Sequence, residues 1–226
     1  MSKRNIIMSV VVMAGLAIVA IGLLAVAPAL AKGPEQISTA DVVWTFNEAD
    51  YPNPAGTSTL IRNKNGISAN YTTSGLTPGH TATVWFIVFN NPDLCSDPGC
   101  GVDDLGDTPA QGDFLLTSGH VIGSDGKATF SGNLEEGDVS GSGLLEVACA
   151  ECGIGLQDAE KALVVLALHS HGPAMEGQDL KAQISSYTGG CEVYQGVGPD
   201  NFAGSSSDIP DGPGECSTMQ VSPHAP

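Results

Sequence analysis

The sequence has few basic and few aromatic residues. It contains 8 Lys and Arg against 25 Asp and Glu, and aromatic residues make up 5% of its 226 positions. The formal net charge of −17 argues against polyanionic partners, so we expect no binding to nucleic acid or to anionic membrane surfaces. Charged residues total only 15%, so the acidity reflects scarce bases, and solubility alone is enough to account for it.

Long apolar runs are absent except near the N-terminus. Lys3 and Arg4 precede an apolar stretch over residues 6–30, which closes with Ala29-Leu30-Ala31. A basic start, an apolar segment and a small-x-small site are typical of a secretory signal peptide, with cleavage expected after Ala31. The alternative is an uncleaved membrane anchor, because the stretch is long enough to span a bilayer. We predict a protein secreted to the extracellular space or periplasm, without a stable membrane span after cleavage.

Six cysteines follow the predicted signal peptide, and an even number in that context predicts disulfides. Six cysteines allow fifteen pairings, and the sequence alone does not choose among them. Local closure favours Cys95–Cys100 and Cys149–Cys152, which leaves Cys191–Cys216. The C-x-x-C spacing of Cys149 and Cys152 also occurs in redox and zinc motifs, but neither a βαβ context nor a second ligand pair accompanies it.

Short β-rich segments separated by turn residues predict an all-β antiparallel sandwich or barrel with long disulfide-pinned loops. One domain is expected over residues 32–195, with a Gly/Ser/Pro-rich tail over residues 196–226 lying on the surface and held by Cys216. Residues 156–161 are predicted as one helical turn. Residues 179–187 fit a strand or, preferably, a short helix or irregular segment. The predicted strands are residues 41–47, 57–62, 67–73, 80–90, 114–122, 127–134 and 162–169.

The apolar run over residues 162–168 ends in His169-Ser170-His171-Gly172-Pro173. Alternate residues of a strand share a face, so His169 and His171 could chelate copper or zinc if the strand continues through Ser170. Tight sites need three or four ligands, so His80 or His120 would have to converge on the pair. The alternative is that one histidine hydrogen-bonds backbone at a turn set by Gly172 and Pro173.

Catalytic motifs are missing from the sequence. It has no G-x-S-x-G, no H-E-x-x-H and no glycine-rich phosphate loop, so we do not expect an enzyme. The long polar loop over residues 91–113 carries six aspartates, which suggests calcium binding as a weaker hypothesis beside an ordinary solvated loop.

Several segments resemble known families. Residues 69–82 (ANYTTSGLTPGHTA) resemble the strand, Gly-Leu turn and strand that open CHRD (chordin-type) domains, and residues 163–173 resemble their later strand with its histidine turn. Residues 89–95, 119–126, 170–173, 183–186 and 189–191 resemble a group of uncharacterised secreted bacterial proteins without an assigned activity. This resemblance, over roughly residues 57–220, implies an immunoglobulin-like or superoxide-dismutase-like β-sandwich.

The order of elements is also distantly similar to copper/zinc superoxide dismutase. The dismutase strand after the Gly-Leu turn carries a His-x-His copper pair, whereas residues 83–89 here contain no histidine and only His169 matches such a position. We therefore predict a non-catalytic CHRD-like β-sandwich that binds an extracellular protein or surface, or serves a structural role, without a cofactor. The alternative is a copper- or zinc-binding or degenerate dismutase-like protein that uses His169 and His171.

Overall fold

The computed structural model describes residues 35–45, 51–96, 99–147, 152–194 and 214–226, with the side chains of residues 193 and 194 excepted. These residues belong to one compact unit, Lys32–Pro226. The predicted signal segment, Asp97 and Cys149 lie outside the described residues. Within the described residues, every helix is too short or too polar to cross a membrane.

Strands dominate the described residues, as the turn-separated β pattern predicts, and the all-β class is confirmed. Two helices accompany them: α1 (Leu144–Val147) and α2 (Gly177–Ser185). The second overlaps residues 179–187, for which the sequence favours a short helix or irregular segment over a strand. Single 3₁₀ turns occur at Pro92–Leu94 and Val102–Asp104. The strands are β1 (Gln36–Trp44), β2 (Gly56–Asn63), β3 (Gly66–Thr73), β4 (His80–Phe89), β5 (Gly112–Val121), β6 (Ala128–Glu135), β7 (Leu163–Pro173), β8 (Val193–Tyr194) and β9 (Glu215–His224).

The strands form two antiparallel layers joined by β1. The order along the sheet is β5-β4-β7-β9-β1-β2-β3-β6, and the short β8 pairs in parallel with β9. β1 pairs with β2 over most of its length and with β9 through Val43 and Trp44, so it passes from one layer to the other. The edges β5 and β6 approach closely at Gly132, where a Cβ would lie 2.8 Å from the Thr117 carbonyl oxygen. The sandwich is therefore barrel-like.

The predicted β2–β3 hairpin is confirmed, because Asn63 pairs with Gly66 across the Asn-Gly turn. Residues 156–161 contain no helix, but Asp158 O accepts hydrogen bonds from the backbone N–H groups of Lys161 and Ala162 in a single turn. This region thus has the predicted turn without a regular helical segment.

Both faces of the layer β5-β4-β7-β9 are buried. Its inner face, which includes Phe86 and Leu166, packs against the other layer in the main core. Its outer face, which includes Trp85 and Ile87, packs against Cys100, Ala110 and Tyr187 and against Leu144 of α1 in a second core. Because both faces are covered, β4 and β7 read as near-continuous apolar runs rather than alternating ones. This second core lies beneath the candidate site.

The prediction of a surface tail over residues 196–226 is wrong for its last part. Residues 215–224 form β9, which lies between β7 and β1 in the sheet. The disulfide from Cys216 to Cys191 is present as predicted. The sequence concealed β9 because polar residues such as Ser217, Gln220 and Ser222 occupy its buried positions.

Buried polar groups of β9 are matched by partners on neighbouring strands, which removes most of the cost of burying them. His224 Nε2 lies 2.7 Å from Ser58 Oγ, and its Nδ1 lies 2.7 Å from Ser38 Oγ. Gln220 Oε1 accepts a hydrogen bond of 2.7 Å from Thr73 Oγ1. A strand with this composition is stable only where such partners meet it.

Two aspartates of the long acidic loop point inward and organise backbone. Asp104 accepts hydrogen bonds from the N–H groups of Ser96 (2.7 Å) and Gly101 (2.8 Å), which spans the Cys95–Cys100 disulfide. Burial alone would raise the pKa of the Asp104 carboxyl, but these backbone donors lower it overall. Among the described residues of this loop, the only cluster with metal-ligand types is Cys95, Cys100 and Asp104, and both cysteines are disulfide-bonded. The calcium hypothesis stays a prediction.

Asp113 holds a longer connection in the same way. One oxygen of its fully buried carboxylate accepts hydrogen bonds from Phe114 N (2.8 Å) and Ser142 Oγ (2.7 Å), and the other from Ile154 N and Gly155 N (both 2.9 Å). The carboxylate thus anchors Ser142, Ile154 and Gly155 to the start of β5.

We expect Asp113→Asn to lower the free energy of unfolding by about 1 to 3 kcal/mol, because in either orientation the amide NH₂ would face at least one backbone N–H donor where an oxygen now accepts. Urea denaturation measures the change. Asp125→Asn is the matched control, since exposed Asp125 accepts only one bond, from Lys127 N, which an asparagine oxygen can also accept. Equal stability of the two variants would contradict the role given to Asp113.

Candidate functional site

β7 presents two histidines on the outer face of its layer. Strand pairing with β4 continues to Pro173, so the strand persists through Ser170. His169 and His171 therefore share a face, with ring centroids 4.8 Å apart and planes nearly perpendicular. The register with β9 shifts between Leu168 and His169, and such bulges redirect side chains. Both imidazoles are buried.

A chain of hydrogen bonds fixes the tautomer of His171. Its Nδ1 lies 2.8 Å from the Gly189 carbonyl oxygen, which can only accept, so Nδ1 carries the proton. Its Nε2 lies 2.9 Å from Thr83 Oγ1, which itself accepts a 2.7 Å bond from Trp85 Nε1. The Thr83 hydroxyl therefore donates to Nε2. Burial lowers the pKa of His171 to about 4, although the Gly189 carbonyl opposes that shift, so the ring is neutral at pH 7.

His169 lies in an aromatic cluster. Its ring stacks on Tyr187 at a centroid distance of 4.6 Å, and Tyr187 also contacts Phe114 at 4.5 Å and Trp85 at 5.1 Å. Burial, with a smaller contribution from His171, lowers the pKa of His169 well below its usual value. The imidazole therefore behaves as a neutral member of this cluster near pH 7.

The Cys191–Cys216 disulfide is the other neighbour of the histidine pair. His171 Nδ1 lies 3.7 Å from Cys191 Sγ and 3.9 Å from Cys216 Sγ. One ligand-type atom from each of the four residues His169, His171, Cys191 and Cys216 lies within 4.8 Å of all the others. The four residues are called the His/Cys cluster below.

The structure does not bring the other predicted ligands to this pair. His80 begins β4, pairs with Pro173 and lies outside the His/Cys cluster. His120 stacks on Phe130 at a centroid distance of 4.3 Å. The third and fourth members of the cluster are instead cysteines that the sequence indicated only as disulfide partners.

An open cavity of about 850 Å³ lies over the outer face beside the cluster. We call it the outer-face groove. Apolar side chains and one aromatic pair, Phe114 and Tyr187, line its interior, and Cys191 lines it as well. A smaller cavity of about 30 Å³ shares Phe114 and Tyr187 with the groove and is also lined by His169. The carboxylates that line the outer-face groove are Asp107, Glu146 and Glu192, and no described lysine or arginine lines the groove.

α2 and the segment that follows it position one wall of the groove, which includes Tyr187 and Cys191. Gln183 is fully buried, donates from Nε2 to the carbonyls of His171 (3.1 Å) and Pro173 (3.0 Å), and accepts from Met175 N (2.8 Å). α2 packs closely on β5, because a Cβ at Gly119 would lie 2.5 Å from the Ile184 carbonyl oxygen. Glu146 Oε2 accepts from Tyr187 N at 2.9 Å, which connects α1 to the opposite wall.

Sequence reasoning missed Thr83, Gln183 and Tyr187 as parts of the site. Their polar or aromatic character is common in strands and helices, so only their three-dimensional neighbours distinguish them. The glycine at position 189 is the one such feature visible in the sequence. The structure explains it, because a Cβ at Gly189 would lie 2.1 Å from the Ala182 carbonyl oxygen. No protein-family model matches the chain, and no curated protein matches it. The CHRD-like resemblance therefore stays a prediction.

Proposed function

We propose that this chain is a non-catalytic binding protein of an oxidising, extracytoplasmic compartment, and that the outer-face groove is its ligand site. The groove carries the proposal. It combines a volume of about 850 Å³ with an apolar and aromatic lining, which is typical of sites for small organic molecules. The disulfides support the compartment, because such bonds persist in secreted and periplasmic proteins.

The histidine–hydroxyl contacts support a non-catalytic role. Thr83 beside His171 and Ser58 beside His224 have the donor–acceptor arrangement of an activated nucleophile. Both hydroxyl groups are buried, with at most 1% of each residue exposed, so a substrate carbonyl could not reach them. Their hydrogen bonds instead satisfy polar atoms within the sandwich.

The rim of the groove indicates which ligands fit. Asp107, Glu146 and Glu192 are exposed around an apolar interior. Carboxylates repel anions, and aromatic faces attract cations and apolar rings. The proposed ligand is therefore an uncharged or cationic aromatic or aliphatic molecule.

A pair of fluorescent probes tests this preference. N-phenyl-1-naphthylamine is uncharged, whereas 8-anilinonaphthalene-1-sulfonate is a similar molecule with an added sulfonate. We expect the uncharged probe to bind the folded protein at least about tenfold more tightly, a difference of about 1.4 kcal/mol. Fluorescence titration at two salt concentrations measures the two affinities, and the gap should narrow as salt screens the carboxylates. Tighter binding of the sulfonate would contradict the proposed ligand class.

Val147→Asp tests the location of the site. Val147 is 48% exposed and lines the groove, so a carboxylate there should weaken binding of the uncharged probe about tenfold without unfolding the protein. Val121→Asp is the matched control, because Val121 is 40% exposed on β5 and lies outside the groove lining. If both variants bind the probe like the unmodified protein, the groove is not the ligand site.

A further inference from the structure

We propose that reduction of the Cys191–Cys216 disulfide converts the His/Cys cluster into a binding site for zinc or a similar thiophilic divalent cation. In the oxidised protein the two sulfurs are bonded to each other, and both ring nitrogens of His171 are hydrogen-bonded. The sulfurs and the His171 nitrogens are therefore unavailable to a metal ion while the disulfide is intact. Reduction supplies two thiols beside two imidazoles, and the thiols ligate as thiolates, which together form a common ligand set for structural zinc.

Distances within the cluster suit a tetrahedral ion. With zinc–sulfur bonds near 2.3 Å and zinc–nitrogen bonds near 2.0 Å, neighbouring sulfur and nitrogen ligands lie about 3.6 Å apart. His171 Nδ1 is already 3.7 Å from one sulfur and 3.9 Å from the other. His169 lies within 4.8 Å of the rest and would need to move by only about 1 Å.

The charge of the cluster favours a divalent cation. Burial strongly disfavours an uncompensated charge, and His169, His171 and Cys216 are each at most 1% exposed. Two thiolates and two neutral imidazoles neutralise a dication.

Cys191 gives a reductant its route to the disulfide. Cys216 is fully buried, whereas Cys191 is half-buried and lines the outer-face groove. A dithiol reductant would attack Cys191 Sγ, form a mixed disulfide there and release Cys216 as a thiolate. The second thiol of the reductant would then displace Cys191, which leaves an oxidised dithiol and two reduced cysteines.

Metal binding releases protons and changes the tautomer of His171. The cation displaces one proton from each cysteine thiol, so two protons are released per ion. His171 must ligate through Nδ1, so its proton shifts to Nε2, which then donates to Thr83 Oγ1 in place of accepting from it. That shift conserves protons and gives up the bond to the Gly189 carbonyl.

Cobalt(II) titration of the full chain, purified with its disulfides formed, tests the proposal. Reduction by a phosphine also opens the other disulfides, so each measurement is compared with the reduced Cys191→Ser/Cys216→Ser double variant. We expect the reduced unmodified protein to bind one more equivalent of cobalt than this variant, with a thiolate-to-cobalt charge-transfer band. The oxidised protein should show neither. Equal stoichiometry in the two reduced proteins would overturn the proposal.

Two histidine variants separate the cluster from unspecific thiol binding. Loss of a residue that only orients a metal ligand typically weakens metal affinity about 10- to 100-fold. His171→Ala removes a ligand itself, so it should weaken cobalt binding by at least that factor. His224→Ala removes a buried histidine outside the cluster and should leave the affinity unchanged. Circular dichroism follows the fold in each state. A reduced protein that loses its β signal and does not regain it with metal would contradict a preformed site, as would equal effects of the two variants.

Discussion

Replacing Arg62 by methionine is expected to lower the free energy of unfolding by about 3 to 5 kcal/mol. Arg62 is only 2% exposed and points from β2 into one end of the sandwich. Its guanidinium donates to four backbone carbonyls, those of Ala159 (3.0 Å), Ala162 (2.7 Å), His224 (2.7 Å) and Ala225 (3.1 Å). Methionine keeps most of the volume and removes every donor, so buried carbonyls lose their partners. Urea denaturation followed by tryptophan fluorescence measures the loss.

Two further variants distinguish hydrogen bonding from charge. Arg62→Lys keeps the charge but lacks the planar fork that reaches two segments at once, so it should recover only part of the loss. Lys161→Met removes an exposed cation that pairs with Asp158 at the surface, and it should leave the denaturation midpoint unchanged. If Arg62→Met were as stable as Lys161→Met, Arg62 would not anchor the C-terminal strand.

Acidification is expected to destabilise the fold between pH 6.5 and about pH 4. Burial holds the pKa of His171 and of His224 at about 4 in the folded protein, helped in His224 by the nearby Arg62 charge. In the unfolded chain histidines titrate near pH 6.5, so the unfolded state binds more protons throughout this interval. The contribution of these two histidines to the free energy of unfolding is thus fully present above pH 6.5 and is lost as the pH drops towards 4. His171 alone accounts for about 3 kcal/mol over the whole interval.

The slope of stability against pH tests that assignment. Each buried histidine contributes up to about 1.4 kcal/mol per pH unit between the two pKa values. His171→Gln should reduce the slope by about that amount when urea denaturation is measured from pH 4.5 to pH 7. His120→Gln is the comparison, because burial lowers the pKa of His120 at a half-buried position and a smaller reduction is expected. An unchanged slope in His171→Gln would show that His171 is not the responsible group.

Local sequence signals predicted the parts of the fold that local interactions set. The Asn-Gly turn and its flanking β-branched residues predicted β2 and β3, and the apolar runs predicted β4 and β7. The sequence did not predict β9, because the stability of this strand comes from partners such as Ser58 and Thr73, which lie about 150 residues away in the chain. Hydropathy along a strand does not register such partners.

The candidate site divides in the same way. The two-residue spacing of His169 and His171 was enough to place both imidazoles on one face, because side chains alternate along any strand. Nothing in that spacing indicated that Thr83 and Gly189 would occupy both nitrogens of His171, or that Cys191 and Cys216 would complete the cluster. Those neighbours come from three other segments of the chain.

The sequence by itself determined the β class, the acidic surface, the cysteine count and the shared face of the histidine pair, since each depends on composition or on spacing over a few residues. Only the tertiary structure decided that a polar C-terminal segment is a central strand, that Arg62 holds it, and that a disulfide lies beside the histidines under an open groove. Each of these depends on contacts between distant segments, whose cost in chain entropy is offset only when the whole sandwich forms.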